Sequence, residues 1–476
     1  MDISVSHRGL PTEAFVVNMG LPLFGQAVQD QGAVATHVDW RIPAAGDPKA
    51  VAALTRLYGV RSLAFDAANA KALARLDQGA PFLTGIAAAG DVVPQMGERM
   101  LLHAGPPIEY SQVCDPLKRS MRAATIAEGW AMDVAGAEAL LASGAIALDA
   151  ANDHSTVVPM ATALGPTTPV WIADNADAGT RAFAPVNQGS GEVPWFGRET
   201  PSAVARLIFL KEVLQPRFAK ILAKRGPLDI FSMAAQGLQM GDDVHMRTQA
   251  TTNLLIRDLL PALVSLGNDE GLSALGDFLS KNHLFFLTIA MAGAKSLTLA
   301  AEAVPGSTIV TTMARNGTTF GVKVGSSPKW HITSAPPVAD ALYYAGFSEK
   351  DAALDIGDSA VLELVGLGGA AAAGSPAVAA FLGGSMEDAA RVTDEMRQIC
   401  LSESSRFKVP VQHFRGTPLG VDVRKVVETG VRPKVTTGIL HLSSGEGQIG
   451  AGVATAPINA FRAALFALDS ADTGGR

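Results

Sequence analysis

Short apolar runs alternate with helix-spaced apolar positions over about the first 90 residues. Residues 15–18, 34–38, 62–65 and 82–84 are apolar runs of strand length, and residues 21–31 carry a helical pattern between the first two. This alternation is typical of βαβ units, in which a helix connects two parallel strands. It predicts an N-terminal Rossmann-like α/β domain over residues 1–100.

Between residues 200 and 305 the spacing of the apolar positions changes to that of helices. Two sets of residues recur at intervals of three and four. They are Val204, Leu207, Ile208, Leu210, Val213 and Leu214, and then Leu254, Leu255, Leu259, Leu260 and Leu263. The pattern predicts a mainly helical domain over residues 200–305.

Two runs rich in β-branched residues follow, at residues 309–313 and 319–324, with an Asn-Gly pair between them. Asn-Gly in this position favours a hairpin, because both residues tolerate the positive φ of its tight turn. We assign residues 101–199 and 306–476 to a main α/β domain. The predicted fold class is therefore a multi-domain α/β protein with an N-terminal βαβ domain, a helical middle block and an α/β C-terminal domain.

Composition and charge narrow the class of protein. The 476 residues include 48% hydrophobic and 17% charged side chains, which favours a substantial core, and the net charge of -7 argues against nucleic-acid binding. Two cysteines are too few for a disulfide framework, and Lys295 and Glu302 interrupt the longest apolar stretch. The first residues also lack the apolar run of a signal peptide. We expect a soluble cytoplasmic protein that binds neither nucleic acid nor a membrane.

Three glycine-rich segments, at residues 355–359, 366–369 and 445–452, are candidates for anion binding. The N–H groups of such turns can bind phosphate or carboxylate oxygens, although plain turn geometry explains them equally well. The candidate binding residues in these segments are Asp358, Ser359, Gly447 and Gln448. None of the segments matches GxxxxGK[ST] or opens a βαβ unit with GxGxxG, so no nucleotide or other cofactor is predicted.

Two histidines stand beside carboxylates, in the sequences NDH and DDVH. A neighbouring carboxylate can orient an imidazole for proton transfer. The candidate catalytic residues are therefore His154, His245, Asp242 and Asp243. Capping of a following helix explains the two aspartates equally well. Because spacing of the HExxH kind is absent, no bound metal is predicted.

Two arginines follow apolar runs and could bind an anion. Arg315 belongs to the hairpin turn with Asn316 and Gly317, and Arg41 follows the second of the short apolar runs. A guanidinium held by rigid strands can bind a carboxylate or phosphate through two parallel hydrogen bonds. The alternative for both is a solvated arginine at a turn.

His103 and Gly105 stand after another apolar run and before a Pro-Pro pair. This places them at the end of a predicted strand, where α/β proteins usually bind their ligands. The chain has no GxSxG sequence, and Gly189-Ser190-Gly191 only approximates one. Acyl transfer through a serine ester is therefore disfavoured.

Nine strings, spread from about Val16 to Phe461, occur in the same order as in one known protein family. They are VVNMGLPLFGQAVQDQGAVATHVDWRIPAAGD, LHAGPPIEY, EGWA, MGDDVH, MARNGTTFGV, DIGDSA, GTPLGVD, TGILH and GEGQIGAG. On these strings the chain closely resembles the YlbE/AllG family of bacterial proteins.

The resemblance implies one subunit of an oxamate carbamoyltransferase system, which interconverts oxalurate plus phosphate with oxamate plus carbamoyl phosphate at the end of allantoin breakdown. It also implies an FdrA-like partner, a smaller third subunit and therefore an oligomer. On this hypothesis His154 or His245 carries the proton and Asp243 orients it. Arg315 and Asn316, together with the glycine-rich segments, would bind the anionic oxygens.

The sequence departs from the family pattern in two places. The family has several histidines before a Val-Gly-Pro-Met-like string where this chain has only His154, and Met-Arg-Thr follows His245 in place of Asn-Arg-Asn. The altered histidine segment leaves open an amide hydrolase that opens a cyclic amide or ureide. A separate alternative is a non-catalytic subunit that binds the FdrA-like protein.

Overall fold

The protein has a mixed α/β fold, and the computed structural model describes residues 15–38, 40–59, 62–267 and 270–470. The described chain begins with a βαβ unit made of β1 (Phe15–Met19), α1 (Pro22–Gln29) and β2 (Val34–Val38). The two strands are parallel, with Phe15 opposite Val34. The predicted N-terminal βαβ unit is confirmed, and it has two strands.

Residues 62–65 do not form the further strand that their apolar run predicts. After α2 (Pro48–Tyr58), they begin the long helix α3 (Ser62–Gln78). The buried residues of α3 recur at helical spacing: Phe65, Asn69, Ala72 and Leu76. A four-residue apolar run is compatible with a strand or with a helix. The helical spacing that continues after this run favours the helix. The prediction of a strand at this position is wrong.

Two sheets are formed by the next part of the chain. Its elements are β3 (Pro81–Ala88), α4 (Ala89–Val92), β4 (Met100–His103), α5 (Asp115–Ala127), α6 (Val134–Ala142), β5 (Ala147–Ala150), β6 (Ala163–Leu164), β7 (Pro169–Asn175) and β8 (Thr180–Pro185). One sheet has the order β8-β7-β3 and is antiparallel, and the other has the order β5-β4-β6, with β4 and β5 parallel. The carboxyl ends of β4 and β5 therefore lie side by side, and a 3-10 helix (Ala151–His154) follows β5 there.

The middle block is helical, as predicted. Its elements are α7 (Pro201–Phe209), a π-helical turn (Leu210–Leu214), α8 (Gln215–Arg225), β9 (Leu228–Asp229), α9 (Ile230–Gln239), α10 (Gln249–Val264), α11 (Glu270–Lys281) and α12 (Phe285–Glu302). The short β9 pairs with β3 at the edge of the first sheet. Within the described part of the chain, α12 alone is long and apolar enough to span a membrane, and 89% of that stretch is buried inside the protein.

The remaining chain forms two antiparallel sheets and one antiparallel pair of strands. Its elements are β10 (Val310–Asn316), β11 (Thr319–Val324), β12 (His331–Ser334), β13 (Asp340–Tyr343), β14 (Ile356–Gly357), α13 (Val361–Leu364), α14 (Pro376–Phe381), α15 (Met386–Ile399), β15 (Cys400–Val409), β16 (Arg415–Val421), α16 (Val423–Thr429), β17 (Lys434–Leu440), β18 (Gln448–Thr455) and α17 (Ile458–Ser470). The strand orders are β12-β11-β10-β14, β13-β18-β17 and β15-β16. The predicted hairpin is confirmed as β10 and β11.

Helix α12 is the centre of the larger hydrophobic core. It packs against β7 and β8 on one side and against α3 and α13 elsewhere, and its residues are buried around the whole helix. A second core joins α2 to α16 and α17. The borders of the three predicted domains stay a prediction.

Candidate functional site

A small cleft of about 30 Å³ lies where the start of α12, the chain after β14 and strand β17 meet. We call it the histidine cleft. Its lining residues are Pro159, Met160, Trp195, Phe196, His245, Met246, Leu284, Leu287, Ser359, Gly438 and Gln448. Three of them, His245, Ser359 and Gln448, are residues that the sequence predicted for the site. A mostly apolar lining with a few polar groups is typical of small-molecule sites, and this cleft is narrow beside the about 300 Å³ of a small ligand pocket.

His245 is held on one side and unbonded on the other. Its Nδ1 lies 2.8 Å from Oε1 of Glu363, and a carboxylate can only accept, so Nδ1 carries the proton. In the neutral ring the other nitrogen, Nε2, then keeps its lone pair. No described residue hydrogen-bonds Nε2, and the side chain lines the histidine cleft. A group held in this way can accept and return a proton at the cleft.

Glu363 is fixed by backbone donors in addition to the histidine. Its Oε1 accepts the N–H groups of Gly369 at 3.0 Å and Thr436 at 3.1 Å, and the side chain is fully buried. A Cβ at Gly368 would lie 2.2 Å from Oε1, so only glycine fits there. The glycine-rich segment 366–369 thus binds a carboxylate oxygen, and that carboxylate belongs to the protein.

The two aspartates of the DDVH sequence support the loop that carries His245. Asp243 accepts the N–H groups of Met246 at 3.1 Å and Arg247 at 2.7 Å, and burial raises its pKa. Glu363, rather than the predicted Asp243, makes the hydrogen bond that orients His245. Asp242 accepts the N–H of Thr251 at 2.8 Å in the first turn of α10, which is the capping alternative.

Two residues at the histidine cleft have strained backbone conformations. Val244, directly before His245, has a φ of 61°, and Met160 in the cleft wall has a φ of 49°. A β-branched residue is rare in this left-handed region, and such strain persists only where the surroundings enforce it. The loop therefore holds the imidazole in a position that a relaxed backbone would not give.

A second polar cluster lies buried at the carboxyl ends of β4 and β5. We call it the lysine cluster: Asn152, Asp153, Lys295 and Lys323. Nζ of Lys295 lies 3.1 Å from Oδ1 of Asn152, and burial lowers the pKa of Lys295. Lys323 pairs with Asp153. Lysine is almost never buried without a paired charge, so Lys295 is an unusual residue for a hydrophobic helix.

His103 ends β4 near this cluster and is fully buried. Its Nδ1 lies 2.8 Å from the carbonyl oxygen of Ala104, so Nδ1 donates, and Nε2 has no partner among the described residues. Burial lowers the pKa of His103, which keeps the ring neutral. The predicted position at the end of a strand is confirmed, and the ring is enclosed by protein.

Asp358 lies between the lysine cluster and the histidine cleft. Its carboxylate accepts the N–H groups of Gly105 at 2.8 Å and Val158 at 3.1 Å. Burial raises the pKa of Asp358 to about 7. The N–H of Gly105, predicted to bind a substrate anion, is therefore used by this carboxylate. The next residue, Ser359, lines the histidine cleft.

The hairpin residues Arg315, Asn316 and Gly317 are buried inside the protein. The guanidinium of Arg315 makes two parallel hydrogen bonds to Asp355, at 2.7 and 3.0 Å. The amide of Asn316 donates to the carbonyl of Pro106 at 3.0 Å. Arg315 is fully buried, which excludes the solvated alternative, and its bonds would have to break before it could bind a substrate anion.

His154 is also engaged by the protein. Its Nδ1 lies 2.8 Å from the carbonyl oxygen of Pro94, and its Nε2 lies 3.0 Å from Oδ2 of Asp149. Neither ring nitrogen is left for a substrate. His154 and His245, which the sequence treats as equivalent candidates, therefore differ in the atoms that they offer.

The remaining predicted residues lie apart from one another. Arg41 borders a basic groove with Arg432 and Lys434, away from the histidine cleft. The segment 445–452 is a loop only as far as Gly447, and from Gln448 onward it is strand β18. The prediction of one continuous anion-binding loop is wrong there, because the backbone of β13 packs directly against the glycines of β18.

Sequence reasoning missed Glu363 as part of the site and treated Lys295 only as an interruption. Both are single charged residues inside apolar helices, and this is the signal that could have revealed them. In the described part of the chain, no group of three or more His, Cys, Asp or Glu residues could hold a metal ion.

Comparisons with known proteins found a matching family model, similar proteins and a similar solved structure. A family model described as oxamate carbamoyltransferase subunit AllG matches residues 146–359. The chain is 37% identical over 407 residues to the Escherichia coli (strain K12) protein of that name, covering 84% of this chain and 97% of the relative. It is 34% identical over 455 residues to the uncharacterized protein YahG of the same organism, covering 95% and 96%. The crystal structure of a conserved protein of unknown function from Enterococcus faecalis V583 superposes with a TM-score of 0.83 at 37% identity, over 85% of this chain and 97% of that one.

Proposed function

Since the chain belongs to the AllG family of oxamate carbamoyltransferase subunits, we propose that it is a carbamoyltransferase subunit in which His245 moves the proton of the reaction. One observation carries the proposal. His245 donates through Nδ1 to Glu363 at 2.8 Å, while no described residue bonds its Nε2 at the histidine cleft. This is the arrangement that a general base requires.

The reaction is phosphorolysis of oxalurate. An oxygen of hydrogen phosphate attacks the terminal carbamoyl carbon, and the bond from that carbon to the inner nitrogen breaks. The products are carbamoyl phosphate and oxamate. Hydrogen phosphate loses its proton and the leaving nitrogen gains one, so a single group can carry it. Nε2 of His245 accepts the proton from phosphate and then gives it to the nitrogen.

The other polar groups of the histidine cleft suit an amide substrate. The Ser359 hydroxyl is bonded by no described residue, and Gln448 uses its Nε2 on the carbonyl of Gly450 at 3.1 Å, which leaves its Oε1 for an N–H donor. The walls formed by Trp195 and Phe196 are apolar and keep water from the reacting atoms.

The charge balance of the cleft favours a shared site. None of its described lining residues is lysine or arginine, while both phosphate and oxalurate are anions. A site for two anions needs cationic groups, which a partner subunit can supply. We therefore propose that an FdrA-like protein and a smaller third subunit complete the complex. We also propose a cytoplasmic location, in which the free thiols of Cys114 and Cys400 stay reduced.

The test is the formation of carbamoyl phosphate from oxalurate and phosphate, with the protein alone and with its co-encoded partners. We expect activity with the partners, and His245→Gln should lower kcat by about 10²- to 10⁴-fold. His283→Gln is the matched control, because His283 is exposed and does not line the cleft. Full activity of His245→Gln in the complex would refute the role of His245. Product formed without phosphate would indicate the amide hydrolase instead.

A further inference from the structure

A separate pocket of about 380 Å³ lies between the end of β8, helix α7 and helix α11. We call it the arginine pocket. Among its lining residues are Gly189, Ser190, Arg206, Asp277, Phe278 and Asn282. It shares none of the lining residues of the histidine cleft, and it includes the first two residues of the Gly-Ser-Gly sequence, which the proposed function does not use.

Arg206 has unused hydrogen-bond donors in this pocket. Its Nη1 donates to the carbonyl of Gln188 at 2.8 Å, and its guanidinium lies 5.2 Å from the ring centre of Phe278. Among the described residues no carboxylate pairs with it, although Asp277 in the same pocket pairs with Lys281. Burial by itself lowers the pKa of Arg206. A guanidinium has five N–H donors, so most of them are free for a ligand.

Asn282 supplies a second unused donor. Its side chain is only 3% exposed, and its Oδ1 accepts the N–H of Leu284 at 3.2 Å. Its Nδ2 has no partner among the described residues. Buried amide groups are nearly always hydrogen-bonded, so an unpartnered one at the wall of a pocket indicates a ligand or water.

Gly189 lies between these two donors. A Cβ at this position would lie 3.0 Å from Nη1 of Arg206 and 3.6 Å from Nδ2 of Asn282. Its φ of +80° is also one that other residues rarely adopt. The glycine thus leaves open the space onto which a guanidinium and an amide both face.

We propose that the arginine pocket binds a small oxyanion, a carboxylate or a phosphate, through the guanidinium of Arg206 and the Nδ2 of Asn282. A planar guanidinium matches the paired oxygens of either anion, and a charge-assisted hydrogen bond is stronger than a neutral one. The aromatic ring of Phe278, 5.2 Å from the guanidinium, adds a cation–π contact that helps to hold Arg206 at the pocket. This inference does not depend on the proposed function.

The arginine pocket is joined to the histidine cleft by two hydrogen bonds. Nε1 of Trp195 donates to the carbonyl of Gly189 at 2.8 Å, and the N–H of Leu284 donates to Asn282. Trp195 and Leu284 both line the cleft. An anion that fixes Gly189 and Asn282 would therefore also fix two walls of the cleft.

The experiment is a calorimetric titration of the full chain with sodium phosphate and, separately, with sodium oxamate. We expect the wild-type protein to bind at least one of them, and Arg206→Gln to weaken that binding about tenfold to a hundredfold. Arg206→Lys should bind with intermediate affinity, since it keeps the positive charge and loses the planar set of N–H donors. The anion that binds more tightly shows whether the pocket prefers a phosphate or a carboxylate.

Three controls make the result decisive. Arg225→Gln should bind as wild type, because Arg225 on α8 already pairs with Asp258 at 2.7 Å. His245→Gln should also bind as wild type, which separates this pocket from the histidine cleft and from the proposed function. Arg206→Gln should unfold within about 4 °C of the wild-type temperature without the anion, because it loses one hydrogen bond to a backbone carbonyl and breaks no ion pair. Equal affinity of Arg206→Gln and wild type, or no binding of either anion up to about 10 mM, would overturn the proposal.

Discussion

Two histidine–carboxylate pairs in this protein look alike in sequence and differ in structure. His245 pairs with Glu363 at 2.8 Å, and His154 pairs with Asp149 at 3.0 Å. Both rings are 4% exposed. The second nitrogen of His154 is bonded to the carbonyl of Pro94, whereas no described residue bonds the second nitrogen of His245.

The difference shows that a polar residue is available for chemistry only if it has an unbonded atom next to open space. His245 meets this condition, as does Ser359 in the same cleft. His154 and Arg315 do not, because their polar atoms are bonded by the protein. We expect substitutions in the first group to change catalysis and substitutions in the second to change stability.

The largest effect is expected when the two carboxylates are changed in turn. Glu363→Gln removes the negative charge that holds Nδ1 protonated and should lower kcat by about 10²- to 10⁴-fold, with little change in KM. Asp149→Asn, the matched change at the His154 pair, should leave kcat within about twofold, because that side chain is 40% exposed and both nitrogens of its histidine are bonded by the protein. Steady-state kinetics of the reconstituted complex measures both. Equal losses in the two variants would remove the distinction between the pairs.

The next effect concerns stability. Arg315→Met should lower the free energy of unfolding by about 3 to 5 kcal/mol, because it leaves the buried carboxylate of Asp355 without its partner. The matched control is Arg181→Met. Arg181 makes the same two-bond contact with Asp174, but its side chain is 56% exposed, so the loss should be below about 1 kcal/mol. Urea unfolding followed by circular dichroism measures both. If Arg315→Met unfolded like wild type, the stabilising role assigned to Arg315 would be wrong.

Local patterns were enough to predict much of the fold. The Asn-Gly pair at the hairpin tip and the helical spacing between residues 200 and 305 gave correct elements, because turn chemistry and periodicity act over a few residues. The run at 62–65 was assigned wrongly, since four apolar residues do not distinguish a strand from the first turn of a helix.

The site could be predicted only in part. The residues His245, Ser359 and Gln448 were named from the sequence, and the structure brings them to one cleft. Their arrangement depends on contacts between distant parts of the chain, and His245 and Glu363 are 118 residues apart. No local pattern contains that pairing. For the same reason the pairing of Arg315 with Asp355 could not be predicted from the sequence.

The smallest expected effect is the pH dependence of stability that Asp358 contributes. It tests whether a residue whose polar atoms are bonded by the protein acts on stability and not on catalysis. Burial raises its pKa to about 7 from an ordinary value of 3.8, so between these values the folded state holds a proton that the unfolded state releases. The stability from this proton is complete below about pH 4 and is lost as the pH rises through 7. The free energy of unfolding of wild type should therefore fall by up to about 1.4 kcal/mol per pH unit relative to that of Asp358→Asn in this range. Urea unfolding between about pH 5 and pH 8 measures this difference. A constant difference between the two proteins would mean that Asp358 is ionised throughout, despite its burial. Because both carboxylate oxygens are already bonded by Gly105 and Val158, we expect this titration to appear in stability and to leave the pH profile of kcat unchanged.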